Sequence, residues 1–193
     1  MRQRTIKDPV IIEGIGLHTG SKTKLVIKGA PADSGINFIR VDLPDKPLLN
    51  IKSSSLNDAA QKERRTYIGS RGKCEIETTE HLLAALSGLG LSNIIIETDG
   101  PELPGLDGSA KDYVDLLDRA DIIEQDSPVQ DLVIEKPSWC ADEGAFLSVF
   151  PHKTLCISYF LSYPVPSIGD QFLSLEISEE VVRRELAPAR TFC

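Results

Sequence analysis

Short runs of alternating apolar and polar residues open the chain. They cover residues 10–12, 24–27 and 36–41, and glycine or proline residues stand between them. Alternation with a period of two places every second side chain on the same face, which is typical of antiparallel strands with one buried face. The N-terminal part of the chain is therefore predicted to form a β-sheet.

Near Thr79 the hydrophobic period changes from that of a strand to that of a helix. Thr78 or Thr79 is a suitable N-cap, and Gly88 and Gly90 are typical residues at a helix end. Between them the apolar residues recur at helical spacing, at Leu82, Leu83, Leu86 and Leu89. The pattern predicts a helix that begins close to Thr79.

A strand and a second helix follow this first helix. Residues 93–98 have the β-branched composition of a buried strand. After a loop at residues 99–108, Ser109 and Asp112 form a predicted capping box at the start of the second helix. Its apolar face carries Ala110, Tyr113, Val114, Leu117 and Ala120. Strands followed by helix, strand and helix indicate an α+β layer sandwich.

Asp126-Ser127-Pro128 is a predicted domain boundary, because strand patterns begin afresh after it. They cover residues 132–134, 146–149 and 155–159, and a helix is expected from near Ser178 to Pro188. We therefore expect a first α+β domain at residues 1–126 and a second at 127–193. The second would resemble the first but lack its later elements, so we expect the chain to be truncated at its C-terminus.

Composition and charge narrow the classes of function. The chain has 29 acidic and 21 basic residues and a formal net charge of −8, which disfavours binding to nucleic acids. Residues 1–9 lack the apolar core of a signal peptide, and no stretch reaches the roughly 18 apolar residues of a membrane span. The four cysteines form no CxxC pair, which argues against a zinc knuckle. We expect a cytoplasmic protein without a membrane span.

The strongest candidate for chemistry is Glu80 with His81 at the start of the first predicted helix. The positive end of a helix favours an ionised glutamate and a neutral histidine, so a general base and a metal ligand could lie side by side. A glutamate in a first helical turn is also common for electrostatic reasons alone, and a lone histidine is usually structural. The residues by themselves leave both interpretations open.

Four segments together resemble successive signatures of the UDP-3-O-acyl-N-acetylglucosamine deacetylase family of lipid A biosynthesis. They are Gly-Ile-Gly-Leu-His-Thr-Gly at 14–20, Thr-Glu-His-Leu-Leu-Ala-Ala-Leu at 79–86, Pro-Gly-Leu-Asp-Gly-Ser at 104–109 and Ala-Arg-Thr-Phe at 189–192. Residues 168–188 are most similar to the chlamydial branch. The resemblance covers the whole chain and implies two similar β-α-α-β domains, each a layer of helices against a sheet.

The resemblance also implies a zinc-dependent hydrolase that removes the acetyl group from a UDP-linked, acylated N-acetylglucosamine. It assigns the general base to Glu80 and one Zn²⁺ ligand to His81. Thr191 would be a catalytic hydrogen-bond donor to the substrate, and Phe192 would pack against the sugar. The products would be acetate and the free amine.

The remaining zinc ligands and a catalytic histidine of this family follow the Ala-Arg-Thr-Phe signature, so we expect them beyond residue 193. His152-Lys153 superficially resembles the family's later His-Lys-x-x-Asp motif, but the fourth residue after His152 is Cys156, so no role is assigned to it. We expect the chain by itself to be inactive and to hold zinc weakly, since catalytic zinc takes three protein ligands. The alternatives are a non-catalytic binding or scaffold module and a part of a fused lipid-synthesis enzyme.

Overall fold

The computed structural model describes residues 1–51, 66–70, 74–142 and 144–191. The chain divides into two compact units. The first consists of Met1–Val129 together with Val182–Cys193, and the second of Gln130–Val181. Residues 126–128, where the sequence predicts a domain boundary, lie within a strand of the first unit.

A five-stranded sheet forms the centre of the first unit. Its order is β2-β3-β8-β4-β5, in which β4 and β8 run parallel and the other neighbours antiparallel. Two strand pairs complete the β-structure of this unit, β1 with β9 and β6 with β7. The strands are β1 Arg2–Ile6, β2 Val10–Ile15, β3 Lys22–Gly29, β4 Ile36–Arg40, β5 Leu48–Asn50, β6 Tyr67–Ser70, β7 Cys74–Glu77, β8 Ile94–Thr98 and β9 Ile122–Pro128.

Two α-helices, α1 at Glu80–Gly88 and α2 at Lys111–Asp118, share one apolar core with this sheet. Strand side chains alternate between buried and more exposed positions, and the helices contribute the leucines and aromatic residues of their predicted faces. The fully buried side chains include Leu25, Ile27, Phe38, Leu82, Leu86, Ile96, Tyr113 and Leu117.

The C-terminal segment of the first unit packs against both helices. It begins with a π-helical turn, Val182–Leu186. Val182 is buried and lies against Gly88 of α1, where a methyl group on the glycine would collide with it. The amide of Ala110 donates to the carbonyl of Ala187 at 3.0 Å. These contacts bring the residues that follow, up to Thr191, to the beginning of α1.

The second unit contains two antiparallel hairpins and a short helical turn. The hairpins pair β10 (Ser138–Asp142) with β11 (Ala145–Val149) and β12 (Cys156–Ser162) with β13 (Asp170–Glu176). The turn is α3, Glu179–Val181. Most of the large apolar side chains of the second unit are exposed, among them Trp139, Phe146 and Phe172.

The predicted α+β class is confirmed, and so are both helices of the first unit and the strands near residues 10, 24, 36 and 94. The strand predicted at residues 132–134 is wrong, because this segment pairs with no strand and Leu132 and Val133 are exposed. The sequence also misses β1, β5, β6, β9, β10 and β13. The two similar layers implied by the family resemblance stay a prediction.

The predicted N-cap position of α1 is confirmed, whereas the capping box predicted for α2 is wrong. Thr79 occupies the N-cap position of α1, but its side chain makes no capping hydrogen bond. Ala110, not Ser109, is the N-cap of α2, although the Ser109 hydroxyl accepts a hydrogen bond from the amide of Lys111 at 3.2 Å. Within the described ranges, no helix has the length and apolar character needed to cross a bilayer.

Candidate active site

Glu80 and His81 form the first turn of α1, as the sequence predicts. The Glu80 side chain is partly buried, and its Oε2 accepts a hydrogen bond from the amide of Thr66 at 3.2 Å. The imidazole of His81 is almost fully buried at 8% exposure. The helix therefore presents a carboxylate and an imidazole together in its first turn.

His81 meets Thr191 across 110 residues of sequence. Its Nε2 lies 2.9 Å from the Thr191 hydroxyl, and the tautomer of the ring decides which group donates the hydrogen bond. The amide of Thr191 donates to the Gly108 carbonyl at 3.0 Å. The structure thus brings together two residues that the sequence signatures assign to one site. Phe192, which the signatures also assign to this site, lies outside the described residues.

A polar cluster beside Thr191 fixes its segment to the loop before α2. The Asp107 carboxylate accepts hydrogen bonds from the Ser109 hydroxyl at 2.6 Å and from the Ser109 amide at 3.0 Å. Arg190 approaches the other carboxylate oxygen of Asp107 at 3.2 Å. The Ser109 hydroxyl and the Arg190 guanidinium hold the pKa of Asp107 below its ordinary value. Asp107 stays ionised near neutral pH and anchors the segment that carries Thr191.

The glycine-rich loop at residues 14–20 lies against residues 104–108. Between them runs an open groove, lined by Ile15, Gly16, Leu17, Gly20 and residues 105–108. The amide of Gly105 donates to the Ile15 carbonyl at 3.0 Å. A methyl group at Gly14 would lie 2.7 Å from Cβ of Pro104, so the absence of a side chain permits this close approach. Gly108 belongs both to the groove and to the anchor of Thr191.

Glu102 is a site residue that the sequence reasoning misses. Its side chain is fully buried, and it accepts hydrogen bonds from the amides of His18 and Thr19 and from the hydroxyls of Thr19 and Thr78. Burial would raise the pKa of the Glu102 carboxyl, but these hydrogen bonds outweigh it and the pKa is lowered. The only sequence signal is a glutamate inside a loop rich in glycine and proline, which does not reveal its partners.

The described residues do not by themselves fit a zinc site. A catalytic zinc ion takes three protein ligands. No group of three His, Cys, Asp or Glu side chains is placed to share a metal ion within the described part of the chain. His81 is the site residue that the family signatures assign to zinc, and its Nε2 lies 2.9 Å from the Thr191 hydroxyl.

Comparison with known proteins identifies close similarity to one family. Its model, UDP-3-O-acyl N-acetylglycosamine deacetylase (LpxC), matches residues 3–193. The UDP-3-O-acyl-N-acetylglucosamine deacetylase of Bdellovibrio bacteriovorus is 36% identical over 98% of this chain and 62% of its own length. The corresponding proteins of Nostoc sp. and Chlamydia pneumoniae are 36% and 39% identical, over 100% and 98% of this chain. The chain spans 62%, 69% and 67% of the lengths of these three relatives.

Proposed function

The chain belongs to the UDP-3-O-acyl N-acetylglycosamine deacetylase family, and we propose that it supplies the general base to a zinc-dependent deacetylase of lipid A biosynthesis. The substrate would be UDP-3-O-acyl-N-acetylglucosamine, the compound that the relatives' names specify. The observation that carries the proposal is the contact of His81 with Thr191 beside Glu80. Two of the four family signatures meet there, although they are distant in sequence.

Glu80 is the proposed general base. As the oxygen of an attacking water bonds to the acetamide carbon, Glu80 takes a proton from that water. When the bond between carbon and nitrogen breaks, the same proton passes to the departing amine, and acetate is the other product. The place of Glu80 in the first turn of α1, next to His81, supports this role.

Thr191 is the proposed hydrogen-bond donor to the substrate carbonyl. Its side chain is exposed, and its backbone is held by Gly108, so the hydroxyl could turn to a bound substrate while the segment stays in place. A donor fixed before the reaction stabilises negative charge on the carbonyl oxygen without reorganisation. Phe192 would pack against the sugar in the same proposal.

Zinc dependence is proposed for the whole enzyme, with His81 as one ligand. The other protein ligands would come from outside residues 1–193, and the chain by itself would be inactive and bind zinc weakly. The same proposal includes a cytoplasmic location and two layered α+β domains at 1–126 and 127–193. In the structure, residues 182–193 belong to the same compact unit as residues 1–129.

Two substitutions in the whole enzyme test the proposed roles of Glu80 as general base and His81 as zinc ligand. We expect Glu80→Gln to lower acetate release from the UDP-sugar by about 10²-fold or more with zinc content unchanged, because the variant cannot accept the proton. We expect His81→Ala to lower the zinc retained after mild chelation, because a ligand is lost.

The matched control is Glu97→Gln on β8, which removes a carboxylate of the surface ion pair with Lys28. Its rate and zinc content should equal those of the unsubstituted enzyme. Equal zinc retention in the Glu80 and His81 variants would contradict the proposed roles. A whole protein that releases no acetate at any zinc concentration would favour the binding or scaffold alternative.

A further inference from the structure

Thr78 has an unusual backbone conformation immediately before the N-cap of α1. Its φ is +55°, in the left-handed region that β-branched residues rarely adopt. Such a conformation persists only where its surroundings hold it in place. Thr78 is buried, and its hydroxyl donates to Oε1 of Glu102 at 3.1 Å. The carboxylate of Glu102 therefore lies at the point where the chain turns into the helix of Glu80 and His81.

The same carboxylate also holds the glycine-rich loop. Its Oε1 accepts a hydrogen bond from the amide of His18 at 2.9 Å. Its Oε2 accepts from the amide of Thr19 at 2.8 Å and from the Thr19 hydroxyl at 2.7 Å. A methyl group at Gly16 would overlap Oε2 of Glu102, so the loop closes tightly around the carboxylate. One buried side chain thus joins two segments that are about 60 residues apart in sequence.

From this arrangement we propose that Glu102 is a positioning residue for the catalytic helix. The Glu102 clamp, defined as Glu102 with His18, Thr19 and Thr78, fixes the glycine-rich loop to the segment that enters α1. It thereby sets the position of Glu80 and His81. The inference rests on the proposed function only in naming these two residues as the groups that are positioned.

Two other hydrogen bonds reach the first turn of α1, from the Thr66 amide to Glu80 and between His81 and Thr191, but neither involves Thr78 or Thr79. Thr79 makes no side-chain cap, and its buried hydroxyl has no hydrogen-bond partner among the residues that the structure describes. A side-chain cap normally satisfies an amide at this position and helps to fix the helix start. Two backbone hydrogen bonds place Glu77 beside Glu102. The Glu77 amide donates to the Pro101 carbonyl at 2.8 Å, and the Leu103 amide donates to the Glu77 carbonyl at 3.1 Å.

The chemistry of the clamp requires an ionised carboxylate. The three partner residues supply four donor groups, and an ionised glutamate is purely an acceptor with two oxygens. A glutamine at the same position would offer one acceptor oxygen and would point an NH₂ group at some of the donors. Glu102→Gln therefore keeps the size of the side chain and breaks the clamp.

Amide hydrogen exchange of the 193-residue chain, resolved by NMR, tests the proposal directly. In Glu102→Gln we expect the amides of His18 and Thr19 to exchange about 10-fold to 100-fold faster, as the loss of hydrogen bonds to a charged acceptor implies. The Leu83 amide, which donates to Thr79 in the first turn of α1, should also exchange faster. The ring signals of His81 should shift, because its contact with Thr191 depends on that turn.

Two controls separate positioning from a general loss of stability. Glu97→Gln should leave all these signals unchanged. Ile96→Val weakens the central sheet without touching the clamp, so it should speed exchange throughout the core and leave the His81 ring signals in place. Uniform acceleration of all amides in Glu102→Gln, or unchanged exchange at His18, Thr19 and Leu83, would overturn the proposal.

A second pair of variants keeps the test decisive if Glu102→Gln does not fold. Thr78→Val has the shape of threonine but lacks the hydroxyl, whereas Thr78→Ser retains it. We expect faster exchange at Leu83 in the valine variant alone, and identical exchange in both would refute the clamp. None of these measurements uses enzyme activity, so an inactive whole enzyme with an intact clamp would refute the proposed function and leave this inference standing.

Discussion

The two compact units contain similar antiparallel hairpins but differ in what covers their side chains. In the first unit Phe38, on β4, is completely buried, whereas Phe172, on β13 of the second unit, is 68% exposed. A two-stranded hairpin without a covering layer is marginally stable in water. The comparison shows that alternation of side chains is enough to form strands, while fixed side-chain geometry requires a core.

The residues of the candidate site lie in the unit that has a buried core. His81, Thr191 and Glu102 all belong to the first unit, and their hydrogen bonds are made by segments that pack on its core. In the second unit the His152 imidazole contacts only exposed neighbours within its own turn, among the contacts found for the described residues. Residues that must keep a defined geometry thus lie where local opening costs most.

The largest expected effect comes from removing one aromatic ring from each unit. We expect Phe38→Ala to lower the free energy of unfolding by about 3–5 kcal/mol, because it leaves a cavity in the core. Phe172→Ala should change it by less than about 0.5 kcal/mol, since the ring is exposed. Urea denaturation followed by far-UV circular dichroism measures both. Trp139, the single tryptophan, reports on the second unit by fluorescence. Equal losses in the two variants would contradict the comparison.

Removing the buried charge of Glu102 is expected to have a smaller effect on the free energy of unfolding. The folded pKa of Glu102 lies below its ordinary value of 4.5, so its stabilisation is present above that value and is lost as the pH falls through the folded pKa. We expect Glu102→Gln to be about 2 kcal/mol less stable than the unsubstituted chain at neutral pH. This difference should narrow under acid conditions. Urea denaturation over a pH series measures it, with the exposed Glu13→Gln as control. A difference independent of pH would mean that the charge of Glu102 has no role.

The smallest expected difference in stability is between alanine variants of two glycines in one loop. A methyl group at Gly16 would overlap the Glu102 carboxylate, whereas Gly20, at φ +65°, has open space around it. Gly20→Ala should therefore cost about 1 kcal/mol of backbone strain. Gly16→Ala should cost roughly 2 kcal/mol, not through backbone strain, since its φ is not positive, but because the methyl group displaces the Glu102 carboxylate. Thermal unfolding of both variants measures the order, and the reverse order would show that the loop does not close on Glu102.

Local periodicity predicted the elements whose signal lies within their own residues. The apolar spacing from Leu82 to Leu89 is enough to predict α1, and alternation predicts β2, β3 and β4. Local periodicity failed for strands whose formation depends on a partner strand that is distant in the sequence. Arg2 pairs with Pro128 in β1 and β9, a contact that no local pattern reveals. The apolar run at residues 132–134 has the composition of a strand but has no partner strand.

The sequence by itself determined the family, the helix of Glu80 and His81 and the α+β class, because these depend on short motifs and on periods of two or 3.6 residues. Only the tertiary structure decided that His81 meets Thr191 and that Glu102 joins the glycine-rich loop to Thr78. Two of these partners, the amides of His18 and Thr19, are backbone groups, which every residue except proline carries. Their role depends on where the fold places them, and no residue type in the sequence records that position.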